Sequence, residues 1–371
     1  MKTILFVVND LKFFLSHRKG IGLSAIKQGY RFVICAPANQ AQENLEEMGF
    51  EFIALDFKRK NKNPFKELII FFSLARIINE LKPDILHLVT IKPIIYGGIL
   101  SRLFSNKPTL IAFPGLGFLY TNKLLKNLLK PFLKTTYKYI FNNPNQKIIF
   151  HNKTDSKEMM GLVDIEKDKI NFTYGSGVDL EEFNFSKLRK SDPIVFLFAS
   201  RFLKDKGIEE LYAAAEYLNE GNNNFDFRFI GAADPGNPSS VSSNTLKKWR
   251  ESGYVTILPF REDVYEEIKN CHVAVLPSYR EGMPKFLLEA SSVGRAIITT
   301  NAPGCDECVK EGHNGFKVPI KDYKLLAMAI KKIGSDIERL ATMGENSRSL
   351  AEKNYSIEAV INKHLEIYNK L

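Results

Sequence analysis

The sequence predicts an α/β protein made of two doubly wound parallel-sheet lobes facing a cleft. Three observations predict it. Short, wholly apolar runs bounded by turn residues recur along the chain, the pattern of strands buried on both faces. Helix-length stretches separate them, so strands alternate with helices rather than with hairpin turns. The alternation breaks once, at GSGVDLEEFNFSKLRKSDP (175–193), where glycines, mixed charge and a closing proline mark a linker, and then starts again. A chain of 371 residues fits two domains of ordinary size.

In the first lobe, TILFVVN (3–9) reads as a buried strand and SHRKGIGLSAIKQG (16–29) as a helix ending at a glycine. RFVICAP (31–37), a helix near 39–48 and EFIALDF (51–57) follow. A helix over 64–81 leads to DILHLV (84–89), a helix near 94–104 and TLIAF (109–113). A long helix over 122–141 precedes KIIF (147–150), a helix near 153–162 and INFTY (170–174). After the linker come IVFLFAS (194–200), a helix from Gly207, DFRFIG (226–231), a helix near 243–252, VTILP (255–259), VAVLP (273–277) and AIITT (296–300). The tail from about 335 is helical in pattern and is expected to pack back on the first lobe. The expected domains are 1–180, 181–355 and a closing helix at 356–371.

Composition narrows the function. The chain is 44% apolar and 25% charged, which is globular rather than disordered. No run reaches the apolar length that spans a bilayer, and MKTILFVVND reads as a core strand rather than a signal peptide. Cys35, Cys271, Cys305 and Cys308 read as reduced thiols of a cytosolic protein, since no second pair completes a zinc set beside the CxxC at 305–308. Residues 1–150 hold 22 basic and 9 acidic side chains, net +13, against 30 and 33 in the remainder, net −3. Residues 101–150 hold no acid. A basic half implies an anionic partner: nucleic acid, an anionic membrane or a phosphorylated substrate.

The chemistry centres on PSYREGMPKFLLEASSVG (277–294), a strand end, a turn and a helix start. A helix N-terminus offers unpaired N–H groups and suits an anion. Glu281 and Glu289 would repel phosphate, so sugar hydroxyls are their natural partners, with an ordinary capped helix as the plain alternative. Another strand end carries Arg201, then Lys206 and Gly207 at the start of the next helix, two cations suited to a diphosphate. ILPFRED puts Arg261 at a further strand end. Phosphate-binding cations beside hydroxyl-binding carboxylates describe a nucleotide-sugar site.

Taken together, the E-x7-E from Glu281 to Glu289, the R-x4-K-G at 201–207, the GVD at 177–179 and the GHNGF at 312–316 resemble the retaining glycosyltransferases of family 4, of the GT-B fold with two Rossmann-like lobes. The resemblance covers nearly the whole chain. FFLSHRKG (13–20) and FPGLGFLY (113–120) resemble a bacterial subgroup that includes N-acetylgalactosaminyltransferases acting on undecaprenyl-diphosphate-linked sugars, with O-antigen and capsule enzymes. The resemblance implies a nucleotide-sugar-binding second lobe and an acceptor-binding first lobe. It implies that Arg201 and Lys206 hold the donor diphosphate, that Glu289 binds ribose hydroxyls and that Glu281 contacts the donor sugar. The backbone N–H groups of Met283, Pro284's neighbour Lys285 and Phe286 would meet sugar or phosphate. It implies a UDP-sugar donor and no metal requirement, the two cations standing where a divalent ion would otherwise be. The histidine that many members carry after the fifth strand is absent, with Pro114 and GLG in its place, and NDLKFFLSHR replaces the Gly-rich turn after the first strand. His17 and His87 lie at first-lobe strand ends, where each reads either as a cleft residue or as a structural histidine.

On the acceptor side, Lys126, Lys130, Lys134 and Lys138 recur every four residues along 121–141 and share a helix face opposite a leucine- and aromatic-rich one, with Pro131 between. Such a helix suits an anionic leaflet. FKRKNKNPFKELIIFF (57–72) adds a second basic and aromatic cluster, and Lys92 is a further first-lobe cation. The expected partners are a nucleotide-sugar donor, a lipid-diphosphate-linked sugar acceptor and an anionic membrane surface at the inner face of the cell membrane, with no nucleic acid. Two alternatives stand beside this reading: a nucleotide-sugar epimerase of the same two-lobe fold, and a basic nucleic-acid-binding protein.

Overall fold

The computed structural model describes every residue except 39–41, 43, 58–63, 117–122, 191, 221–223 and 262; for 123–128 it describes the backbone alone. The basic cluster at 58–62, the second half of the 113–120 stretch and the Lys126 side chain therefore lie outside the described residues. The chain divides into two compact units. One is Met1–Ser176 with Glu358–Leu371, and the other is Gly177–Ile357.

The first unit is a seven-stranded parallel sheet in the order β3-β2-β1-β4-β5-β6-β7. Its strands are β1 (Thr3–Val7), β2 (Arg31–Ala36), β3 (Glu51–Ala54), β4 (Ile85–Val89), β5 (Thr109–Phe113), β6 (Gln146–Phe150) and β7 (Ile170–Phe172). Side chains alternate across the sheet. Leu5 and Val7 enter a core under α3 (Pro64–Leu81), α4 (Ile91–Leu103), α5 (Lys123–Phe141) and α6 (Lys153–Leu162). Ile4 and Phe6 enter the opposite core, under α1 (Leu11–His17) and α2 (Lys19–Lys27). The C-terminal α13 (Ile357–Lys370) closes that second core with Leu365, Ile367 and Tyr368.

Three expectations are corrected here. The helix read over 16–29 is two helices, broken at Arg18, whose φ of −133° is not helical. The break lets Arg18 turn inward and become buried. The stretch read as a helix near 39–48 shows turns at 45–49, ending at Gly49 with φ +86°, a conformation that stops a helix. The apolar face of α5 is no lipid face along its C-terminal half, because Leu133, Tyr137, Ile140 and Phe141 are buried in the core.

The second unit is a six-stranded parallel sheet in the order β10-β9-β8-β11-β12-β13. Its strands are β8 (Ile194–Ala199), β9 (Phe225–Ile230), β10 (Thr256–Leu258), β11 (Val273–Leu276), β12 (Ala296–Thr300) and β13 (Gly315–Val318). Its helices are α7 (Ile208–Asn219), α8 (Ser243–Ser252), α9 (Tyr265–Lys269), α10 (Lys285–Val293), α11 (Tyr323–Gly334) and α12 (Ile337–Leu350). Strand β13, α9 and α11 were not expected. β13 carries the GHNGF motif, whose glycines masked its strand pattern: Gly315 sits where a Cβ would come 1.9 Å from the Ile297 carbonyl oxygen of β12.

Unit one buries an uncommon group of basic side chains. Arg18 Nη2 donates to Nε2 of His151 at 2.9 Å, and its Nη1 lies 3.3 Å from the Gly175 carbonyl. Burial pushes the guanidinium down to about 10. His87 Nδ1 is 2.6 Å from the Tyr368 hydroxyl, and the His87 ring stacks on His364 at 5.7 Å. So His87 is a structural core histidine that ties β4 to α13. Burial holds His87 and His151 well below the ordinary imidazole range, and His364 down to about 3. Histidines of this kind stay neutral in the fold but protonate in the unfolded chain near pH 6.5. Their contribution is present above that pH and is lost as pH falls toward their folded values. Thermal melts should show the Tm of unit one falling between pH 7 and pH 5, with a shallower fall in His364→Phe; equal slopes would contradict the assignment.

Candidate active site

The site is assembled at the carboxyl ends of β8, β11 and β12, where ligands bind in open parallel sheets. After β8 the chain passes Arg201 and makes a short helical turn at Lys204–Lys206 before Gly207 starts α7. Gly207 has φ +71°, and a Cβ there would lie 2.0 Å from the Pro277 carbonyl oxygen. Only glycine lets the two strand ends meet this closely. The Asp205 carbonyl accepts from Tyr279 N at 2.9 Å and lies 3.0 Å from the Ser278 hydroxyl. The Tyr279 hydroxyl reaches Glu210 Oε1 in the first turn of α7 at 2.5 Å.

This interlock brings Lys206 to Glu281. Lys206 Nζ is 2.5 Å from Glu281 Oε1, and both side chains are mostly buried. The Ser278 hydroxyl lies 2.8 Å from the same oxygen. From beneath, Thr300 Oγ1 donates to the Ser278 carbonyl at 2.5 Å, and Glu281 N donates to the Pro303 carbonyl at 2.9 Å. Gly304, at φ +77°, passes so near that a Cβ would be 2.3 Å from the Glu281 carbonyl oxygen. Sequence reasoning left Glu281 free to face hydroxyls. The structure adds a partner: its Oε1 is held by Lys206, with the Ser278 hydroxyl beside it. An ammonium has three donors, so Lys206 retains capacity for a phosphate beside the pair.

The turn then leads into α10. Pro284 is its N-cap and supplies no side-chain hydrogen bond, so the first amides of the helix, from Lys285 and Phe286 onward, lack a side-chain cap. Met283 and Phe286 are buried and anchor the turn in the core. Glu289, also buried, has its carboxylate 3.1 Å from Lys285 Nζ. Burial pushes the Glu289 carboxyl up, Lys285 draws it down, and Glu182 and Asp263 push it up further. Arg201 is half exposed and its Nη1 meets Asp234 Oδ2 at 3.0 Å. Arg261 is also half exposed, 3.0 Å from Glu267 of α9.

Sequence reasoning thus identified Lys206 and Glu281, which meet directly, and Met283, Pro284, Lys285, Phe286 and Glu289, which share one turn and helix. It missed Ser278, the Asp205 carbonyl and Asp234, because a backbone acceptor and a small hydroxyl carry no spacing signal. The four cysteines are buried thiols. Burial pushes Cys35, Cys271 and Cys305 to about 12 and Cys308 upward. Among the described residues no group of histidine, cysteine or acidic side chains forms a metal-ligand set.

The first-unit candidates are dispersed. His17 ends α1, stacked on Phe13 at 4.6 Å, with Nδ1 2.6 Å from the Ser16 hydroxyl. Lys92 is paired with Glu67 of α3 at 2.6 Å, and Tyr96 reaches the same carboxylate at 2.5 Å. Lys130, Lys134 and Lys138 are exposed on α5.

Comparison with known proteins agrees in both halves. A family model described as glycosyl transferase 4-like matches residues 3–152, and one described as glycosyl transferases group 1 matches residues 179–350. The chain is 30% identical over 355 residues to the N,N'-diacetylbacillosaminyl-diphospho-undecaprenol alpha-1,3-N-acetylgalactosaminyltransferase of Campylobacter jejuni, covering 92% of this chain and 91% of that one. It is 25% identical over 346 residues to the UDP-Gal:alpha-D-GlcNAc-diphosphoundecaprenol alpha-1,3-galactosyltransferase of Escherichia coli, covering 91% and 88%. An Anabaena protein solved in complex with UDP-glucose shares the fold over 100% of both chains, with a TM-score of 0.79 and 18% identity.

Gly207→Ala tests the interlock. A non-glycine residue at this φ costs about 1–3 kcal/mol before the clash with Pro277 is counted. Thermal melts should show a Tm lowered by several degrees, roughly 4 °C or more. Wild-type stability in this variant would show that the two strand ends do not depend on the missing Cβ.

Proposed function

The chain belongs to the glycosyltransferase family defined by these group 1 and 4-like models, and from that premise we propose that it moves a sugar from a UDP-sugar to a polyprenyl-diphosphate-linked saccharide with retention of anomeric configuration. The observation that carries the site assignment is the Lys206–Glu281–Ser278 cluster beside the uncapped start of α10. Arg201, Lys206 and the α10 amides bind the donor diphosphate. Glu289 accepts from the ribose hydroxyls, and Glu281 from hydroxyls of the transferred sugar.

In the reaction, the bond from the sugar's anomeric carbon to the β-phosphate oxygen breaks, and a bond to the acceptor hydroxyl oxygen forms on the same face. The departing phosphate takes the acceptor's proton. Charge developing on the leaving diphosphate is met by Arg201 and Lys206, the role this reading gives them in place of a divalent ion. The alpha linkage in the names of two relatives supports retention, since a UDP-hexose donor is itself alpha-linked. Those names also support a lipid-diphosphate acceptor, and the Campylobacter relative supports an N-acetylhexosamine such as GalNAc as the sugar.

An acceptor of this kind lies at the membrane. No helix among the described residues is long and apolar enough to cross one. The exposed Lys130, Lys134 and Lys138 of α5 support peripheral docking on an anionic leaflet at the inner face of the cell membrane.

Incubation with a UDP-sugar, with and without a lipid-diphosphate acceptor, tests the reading. Transfer should need the acceptor; interconversion of the free UDP-sugar would indicate an epimerase instead. Glu289→Ala should weaken UDP-sugar binding about 10- to 100-fold, by loss of two hydrogen bonds to a charged group. Lys206→Ala should lower kcat about 100-fold or more with a smaller change in KM. If both variants kept wild-type kinetics, the site assignment would be wrong.

A further inference from the structure

Helix α3 has two apolar faces. Ile70, Leu74 and Ile78 are buried in the core. At about 100° per residue, Phe65, Leu68, Ile69 and Phe72 fall on the opposite side, and they are 77%, 53%, 63% and 61% exposed. Their i, i+3, i+4, i+7 spacing is the stripe an amphipathic helix ordinarily buries. Scattered exposed apolar residues need no explanation, but a contiguous stripe marks an interaction surface. α3 packs beside α4, and α4 beside α5, on one face of the sheet. The same helix layer exposes Leu103 on α4 and Phe132 on α5.

The surrounding charge identifies the partner. Lys66, Lys130, Lys134 and Lys138 are exposed in this layer. Neither acid of α3 opposes them as a lone charge: Glu67 is engaged by Lys92 and Tyr96, and Glu80 by Arg76. No acid occurs anywhere in 101–150. Exposed aromatic and aliphatic side chains within a cationic field match an anionic bilayer surface, which offers phosphates outside and acyl chains beneath.

We propose that α3 is the lipid-inserting element of the first unit: Phe65, Leu68, Ile69 and Phe72 enter the boundary between headgroups and acyl chains, while the lysines of α3 and α5 meet the lipid phosphates. The proposal rests on the membrane-docking part of the function above and moves its apolar contact from α5, whose C-terminal half is spent on the core, to α3.

Vesicle sedimentation with the full chain tests it, using phosphatidylcholine vesicles with and without phosphatidylglycerol. Wild type should bind the anionic vesicles. The variant Phe65→Ser, Leu68→Ser, Ile69→Ser, Phe72→Ser should lose binding at least about tenfold while keeping a cooperative thermal transition, since these side chains are all more than half exposed. Phe72→Trp should show indole fluorescence quenched by brominated acyl chains, against a background of the single native Trp249, buried in the other unit. Loss of binding in Lys130→Glu, Lys134→Glu, Lys138→Glu but not in the serine variant would overturn insertion by α3 and leave charge docking in place. A wild-type dimer that the serine variant converts to monomer, with vesicle binding unchanged, would assign the stripe to a second copy and overturn the proposal. Wild type that ignores both vesicles would overturn it too, and sugar transfer to a detergent-dispersed acceptor would show separately whether the catalytic reading stands.

Discussion

The second unit depends on one close approach, that of Gly207 to the Pro277 carbonyl. A parallel sheet sets β8 and β11 side by side, but ordinary loops at their carboxyl ends would diverge. Here the missing Cβ lets the two turns touch, and the Asp205 carbonyl then receives the amide of Tyr279, with the Ser278 hydroxyl 3.0 Å away. Lys206 and Glu281 flank this junction in sequence. Their pairing is therefore a consequence of the backbone interlock, and the pair inherits the rigidity of two strands. A third strand adds support through Thr300 and the passage of Gly304. A group held from three strands costs little reorganisation when a substrate arrives, which is the condition under which fixed charges act most strongly.

The same arrangement resolves an electrostatic conflict. Two carboxylates near an anionic diphosphate would repel it. Glu281 is matched by Lys206, and Glu289 by Lys285, so each acid lies within a pair that is near neutral as a whole. The uncapped amides of α10 then supply positive potential that neither carboxylate cancels. Burial of Glu289 works in the same direction, since a carboxylate drawn toward its neutral form repels less.

Much of this was legible in the sequence, and what was not has physical causes. Buried parallel strands announce themselves because both faces are apolar, so β1, β4, β5, β8, β11 and β12 read directly. The helix at 64–81 matched to the residue because Pro64 opens it and Lys82, at φ 47°, stands just past its end. β13 did not read, since Gly315 is fixed by contact with β12 rather than by strand propensity. The R-x4-K-G and E-x7-E motifs were visible, but their pairing was not. Ion pairs between Lys206 and Glu281 span 75 residues of sequence, and nothing in the spacing reveals that distance closed. The Arg18 break in the first long helix was equally hidden, because its cause is a buried partner, His151, far along the chain.

The two units use charge in opposite ways. The second holds the Lys206–Glu281 pair, mostly buried, at its strand ends. The first buries Arg18 against His151 and the carbonyls of His17 and Gly175, and leaves its lysines on the outside of the α3–α4–α5 layer. An amphipathic helix normally resolves which side faces water by having one apolar face. α5 follows that rule in its C-terminal half, with Leu133, Tyr137 and Ile140 inside and Lys134 and Lys138 outside. α3 does not, and hydropathy alone cannot say which of its faces is the core. Packing against α4 decides it for Ile70, Leu74 and Ile78, and so leaves Phe65, Leu68, Ile69 and Phe72 on the exposed side of the helix.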